Sequence, residues 1–207
     1  MISGNSRFFL QAAALGAVVT VLGISGCRIH VDKDSKGNEK TVHVDTPFGG
    51  VHVNTDQTTA SDLGLPVYPG AHSVTDDGKH KSADVHLGFG DWQLRVKAVS
   101  YGTGDSRDKV AAFYKKALNR YGDVITCDGN SPVGTPTVTR EGLNCSDGAH
   151  GQVKLDNQDF KQDFQLKAGS KRHQHIVGFE NSKGDETRFS LVALDLPANV
   201  DNDDKKE

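Results

Sequence analysis

The stretch DSRDKVAAFYKKALNRYG (Asp105–Gly122) decides the fold class, because it is the best helix in the chain. Val110, Phe113, Tyr114, Ala117, Leu118 and Tyr121 recur at helical spacing and form one apolar face. Asp105 is placed to cap the first turn, with Asp108 three residues on. Lys115, Lys116 and Arg120 suit the negative end of the helix dipole, and Gly122 is a good stop. The pattern predicts a helix over Ser106–Tyr121.

On either side the period changes from helical to alternating, which is strand periodicity. Ala83–Phe89 and Trp92–Tyr101 flank Gly90-Asp91 and predict a hairpin. In its second strand Trp92, Leu94, Val96 and Ala98 share one face, and Gln93, Arg95 and Lys97 the other. After the helix, strands are expected at 123–127, 151–156, 161–168, 173–181 and 186–195. The last is apolar on both faces, with Phe189, Leu191 and Ala193 on one and Val192, Leu194 and Leu196 on the other, so a central place is expected. Lys183-Gly184-Asp185 is the turn before it. Two prolines in Leu65–Gly70 set an extended lead-in. One helix among antiparallel strands implies an α+β domain over 65–196, with the helix packed on a sheet face. Residues 197–207 have the composition of a disordered tail.

Upstream lies a short repeat. Ile29-His30-Val31-Asp32, Val42-His43-Val44-Asp45 and Val51-His52-Val53-Asn54 share an alternating pattern, separated by turn-forming runs at 34–38 and 46–50. A three-stranded meander over 28–54 is expected, within a segment 27–57. The polar run Thr55–Leu63 lacks periodicity and reads as a loop, with a linker at 58–64.

LPVYPGA (Leu65–Ala71) and the helix pattern Val110-x-x-Phe113-Tyr114-x-x-x-Leu118-x-x-Tyr121-Gly122 resemble a group of uncharacterised exported bacterial lipoproteins. Thr46-Pro47-Phe48-Gly49 also recurs in that group, and the resemblance spans about 41–127. It implies the fold and an envelope location, and it carries no functional residue.

Met1–Arg7 has one positive charge and no acid, Phe8–Leu22 is mainly apolar, and Ile24-Ser25-Gly26-Cys27 follows. This is the layout of a secretory signal. The last four residues resemble the lipobox of bacterial lipoproteins. That resemblance implies removal of residues 1–26, a diacylglyceryl thioether on Cys27, and in many bacteria a further acyl chain, such as palmitate, on its amine. An uncleaved membrane helix and a plain secretory signal are the alternatives. The Gly/Ser-rich end and Cys27 argue against the first. Acyl chains buried at about 0.8 kcal/mol per CH2 hold a protein on a membrane without a spanning helix. In Gram-negative sorting, aspartate after the cysteine retains a lipoprotein in the inner membrane. Arg28 stands there instead, so the outer membrane is expected where the cell has one.

The two other cysteines, Cys127 and Cys145, form an even pair, which in an oxidising compartment reads as a disulfide. Closing the Gly/Pro-rich loop between them would stabilise the fold by roughly 3 kcal/mol. A net charge of −3 without a basic stripe excludes the usual electrostatics of nucleic-acid binding.

Histidines are the main candidates for chemistry. In a regular meander His30, His43 and His52 fall on one face, roughly 5 Å apart across strands, flanked by Asp32 and Asp45. Such a set suits zinc, copper or nickel. A solvated strand face is the plainer reading, and a bulge near Gly49-Gly50 would break the alignment. His173 and His175 form a second pair without an evident third ligand. Asp32-x-Asp34-x-Lys36-Gly37 resembles a calcium loop but puts a cation at a ligand position. Ser106-x-x-Lys109 matches one motif of penicillin-recognising enzymes without its companions. Asp156, Asp159 and Asp163 are paired-carboxylate candidates that read more simply as solvated surface. The expected function is therefore a non-catalytic envelope lipoprotein without a cofactor. The alternative is a metal-binding lipoprotein that takes zinc or copper at His30, His43 and His52.

Overall fold

The computed structural model describes residues 27–33, 39–75, 81–147, 164–180 and 185–197, with only the backbone of Glu39 and Lys40. The expected strand at 151–156, the body of the Lys183–Asp185 turn, residues 1–26 and most of the tail lie outside these.

The α+β class holds: one α-helix accompanies an antiparallel sheet. The strands are β1 (Arg28–Lys33), β2 (Glu39–Thr46), β3 (Gly49–Thr55), β4 (His72–Ser73), β5 (Ser82–Phe89) and β6 (Trp92–Thr103). After helix α1 (Arg107–Leu118) come β7 (Val124–Asp128), β8 (Ser131–Pro132), β9 (Phe164–Gly169), β10 (His173–Phe179) and β11 (Thr187–Asp195). Their order across the sheet is β1-β2-β3-β5-β6-β11-β10-β9-β7-β8, with β4 also paired to β6. As its two apolar faces imply, β11 lies centrally, between β6 and β10.

The meander forms, but it is not a separate appendage. β3 pairs with β5 from Gly49↔Phe89 to Thr55↔Ala83, so the meander continues the main sheet. The Pro47-Phe48 turn is tied by the Thr46 hydroxyl, which donates to the Gly49 carbonyl at 2.7 Å and accepts from the Phe48 amide at 3.4 Å.

The expected linker at 58–64 is likewise replaced by packed structure. Ala60–Leu63 form a short 3-10 helix whose Ala60 and Leu63 are buried in the core. Asp62 accepts from the Thr59 amide and hydroxyl at 2.8 and 2.7 Å, and Gly64 ends the turn in the left-handed region at φ 68°. Two inward apolar residues in a polar run are too few to make a visible period.

α1 packs on one face of the sheet. Val110, Tyr114 and Leu118 are buried against Val99 and Tyr101 of β6, Leu191 of β11 and Val177 of β10. Phe189 of β11 lies among aromatic rings, at 5.5 Å from Tyr114, 5.9 Å from Tyr101, 6.2 Å from Phe179 and 6.5 Å from Tyr68. The cap differs from expectation: Ser106 is the N-cap, and Asp105 turns away. Asp105 accepts from Lys109 Nζ and from the Tyr68 hydroxyl, both at 2.9 Å, and these two hold its carboxyl below the usual range. The helix tightens to a 3-10 turn at Asn119–Tyr121, and Gly122 follows at φ 118°.

The opposite face carries a second cluster of Ile125, Cys127, Leu143 and Cys145, closed by the Cys127–Cys145 disulfide. Lys167 is buried here. Its ammonium donates to the carbonyls of Cys145 and Asp147 at 3.0 and 2.9 Å, and burial pushes its pKa down.

The buried Tyr114 hydroxyl accepts from the Tyr68 amide and donates to the Pro66 carbonyl, both at 3.1 Å, so it fixes the Leu65–Gly70 lead-in to the helix. Tyr114→Phe would leave a donor and an acceptor unmet without changing shape. A loss of about 1–3 kcal/mol is expected in urea unfolding, with an unchanged m-value.

Candidate metal centre

Side chains alternate between the faces of a strand, so register alone decides which histidines meet. His30 faces His43, His43 faces His52, and His52 faces His86. The row continues through Arg95 and Asp195 to His173. The ladder runs without a bulge through Gly49 and Gly50, and the irregularity falls between Asp32 and Lys33, beyond His30. His86 is the member that sequence reading missed. Its neighbours Val85 and Leu87 repeat the aliphatic-His-aliphatic pattern and were the available signal.

Within the row one group converges. His43 Nε2 lies 2.9 Å from Asp45 Oδ2, His52 Nε2 lies 3.9 Å from Asp45 Oδ1, and the two ring centres are 3.6 Å apart. One ligand atom from each of the three residues falls within 4.8 Å of the others. Gly50 faces Asp45 in the ladder and leaves space beside the group: a Cβ there would lie 3.2 Å from the Val44 carbonyl, 3.3 Å from Asp45 Oδ1 and 3.4 Å from His52 Nε2. The side chains of His43, His52 and Asp45 are 35%, 41% and 54% exposed, so a solvated ion can reach them.

His30 stands outside this group. It turns along its own strand to Asp32, at 3.3 Å. The expected trio of His30, His43 and His52 thus becomes His43, Asp45 and His52, with His86 next in line at 6.0 Å between the His52 and His86 rings.

Next to the row, an open cleft of about 370 Å³ lies where the end of the helical segment meets β6, β10 and β11. Arg95, Lys97, Tyr121, His175 and Asp195 line it. Its cations are engaged: Asp84 takes Arg95 at 3.2 Å and Lys97 at 3.7 Å. His175 stacks on Tyr121 at 3.5 Å, whereas His173 pairs with Asp195 at 2.9 Å, so the two histidines are held by different partners. Lys109 is occupied by Asp105, and Ser106 stands at the N-cap position of the helix, without a side-chain capping hydrogen bond. Asp34, Lys36, Gly37, Asp156, Asp159 and Asp163 lie outside the described residues. Cys27 is exposed immediately before β1.

No family model, curated protein or solved structure matches this chain.

Burial pushes the pKa of His175 below the ordinary imidazole value, against a smaller opposing pull from Asp195. The unfolded chain therefore binds this proton more tightly than the folded one. The contribution to stability is complete above the unfolded value and is lost as pH falls through it toward the folded value. Stability curves of the native chain and His175→Gln between about pH 7.5 and pH 5 should converge on the acidic side, because the variant lacks this part of the fall. Parallel curves would refute the assignment.

Proposed function

We propose that the chain is a non-catalytic cell-envelope lipoprotein, anchored through Cys27, that binds a transition-metal ion at His43, Asp45 and His52. The convergence of two imidazole nitrogens and a carboxylate on one exposed sheet face carries this reading. Zinc bonds of about 2.0–2.2 Å place tetrahedral ligands roughly 3.4 Å apart, a spacing that small side-chain rotations can reach from ligand atoms lying within 4.8 Å of one another. Three protein ligands leave a fourth position for water or for a ligand from solution. Nitrogen and carboxylate donors suit Zn(II) and Cu(II) over the all-oxygen preference of calcium. The envelope setting is supported by the Ile24–Cys27 sequence and by a disulfide, which belongs to oxidising compartments.

Calorimetric titration of a soluble Cys27→Ser form with Zn(II) and Cu(II) is the direct test. One equivalent should bind with a Kd at or below about 10 μM, roughly −7 kcal/mol. His43→Ala and Asp45→Asn should each weaken it by at least about tenfold, and His30→Ala by less than about threefold. Absence of stoichiometric binding of either ion at that level would overturn the reading.

A further inference from the structure

The end of the sheet that carries Cys27 also carries its most exposed aromatic side chains. Arg28 faces Asp45, so Cys27 lies level with Thr46 and the Pro47-Phe48 turn. Thr46 faces Gly49, and Gly49 faces Phe89, which faces Trp92 across the next turn. The anchor residue, the β2–β3 turn and the β5–β6 turn therefore occupy one end of five neighbouring strands. At about 4.8 Å per strand this end spans about 20 Å.

Phe48 is 85% exposed and Phe89 47% exposed. Trp92 is half-buried, with its ring 6.0 Å from that of Phe89. Phe89 also leans over Gly49, where a Cβ would come within 2.6 Å of its ring, so the two turns abut. β6–β11 pairing stops at Arg95↔Asp195, and the β5–β6 hairpin runs three residues further. Its tip thus projects about 10 Å past the end of β11. Aromatic rings gathered at a projecting tip are costly in water and favourable at headgroup depth in a bilayer. A tether at Cys27 keeps such a surface within about 20 Å and raises its effective concentration.

We propose that this end is a membrane-contact edge: Phe48, Phe89 and Trp92 enter the headgroup region of the bilayer that holds Cys27. The sheet then stands on end, with His43 and His52 about 10 Å along their strands from the Thr46–Gly49 pair and Asp45 nearer to it. This inference rests on the lipid-anchor reading, and its test separates the two.

Trp92 is the only tryptophan in the chain, so its emission reports this edge. Three cysteines are present and two form the disulfide, so Cys27 is the one free thiol. The chain from Cys27 onward would be coupled by that thiol to a maleimide lipid in phosphatidylcholine vesicles, with and without brominated acyl chains. This supplies the tether whether or not the cell acylates Cys27. Intact-mass measurement of the protein from cell envelopes tests acylation separately. The expected result is a blue shift of Trp92 emission and at least about twofold quenching by the brominated lipid. Phe48→Ser with Phe89→Ser should abolish most of the quenching. So should moving the tether to the opposite end with Lys81→Cys in a Cys27→Ser background, since the exposed Lys81 precedes the far end of β5. Unquenched Trp92 in the Cys27-tethered protein would overturn the proposal, as would equal quenching from both tethers. A blue shift that grows with protein density without bromine quenching would also overturn it, by assigning the edge to contact between copies.

Discussion

The pairing of β3 with β5 is the constraint on which the arrangement depends. Seven facing residues, from Gly49↔Phe89 to Thr55↔Ala83, join the N-terminal strands to the helix-bearing half. A strand repeats every two residues, so a slip of one position here would turn every side chain of the meander to the other face. His52 would then face away from His86, and Val51 and Val53 would leave the aliphatic side they share with Val85 and Leu87. The same pairing brings the two aromatic turns together at one end.

The two faces of this sheet are covered differently. α1 and the 3-10 helix at Ala60–Leu63 cover one face over β6, β11, β10 and β9. The disulfide cluster covers the other face over β7 and β9. On β1, β2 and β3 every described side chain is exposed or half-buried, and on β5 only Ser82 is buried, where the Thr58 amide donates to its hydroxyl, so the helix-bearing side there meets water with polar groups. It does so with His, Asp and Asn, while Val residues hold the reverse side and supply strand propensity. The cleft at Arg95, Lys97 and His175 marks the border where helix cover ends.

Much of this was legible in the sequence because it rests on local period. The helix face, the β5–β6 hairpin and the alternation of the three His-bearing strands all repeat over enough residues to declare themselves. The Cys127–Cys145 pairing followed from an even count. What was not legible depends on contacts made at long range. Ala60 and Leu63 gain their meaning from a core built by residues far along the chain, and their polar neighbours hide them. Asp105 looked like a cap because it precedes the helix, yet Tyr68, 37 residues earlier, and Lys109 claim its carboxylate. The role of His86 needed the β3–β5 register, which no local pattern specifies. His30 and Asp45 changed places in the candidate site for a similar reason: facing positions were predictable, but the turn of each ring was not.

The remaining question is why the bare face uses histidine where any polar residue would satisfy water. Solvation alone asks for neither imidazole nor a particular spacing, and Lys, Glu or Thr would serve a strand as well. Gly50 is the residue that solvation leaves unaccounted for. Glycine in the interior of a strand costs stability through backbone entropy and contributes no side chain to pack. A Thr or Val facing Asp45 would add strand propensity, but its Cβ would crowd the Val44 carbonyl, Asp45 Oδ1 and His52 Nε2 at 3.2–3.4 Å. The Gly88 carbonyl and the Phe89 ring bar a side chain at Gly49, whereas a Cβ at Gly50 would press only moderately, on the Val44 carbonyl and on Asp45 Oδ1. Glycine at this position leaves room beside Asp45 and His52 that a larger side chain would crowd, which is in keeping with a ligand site on this face.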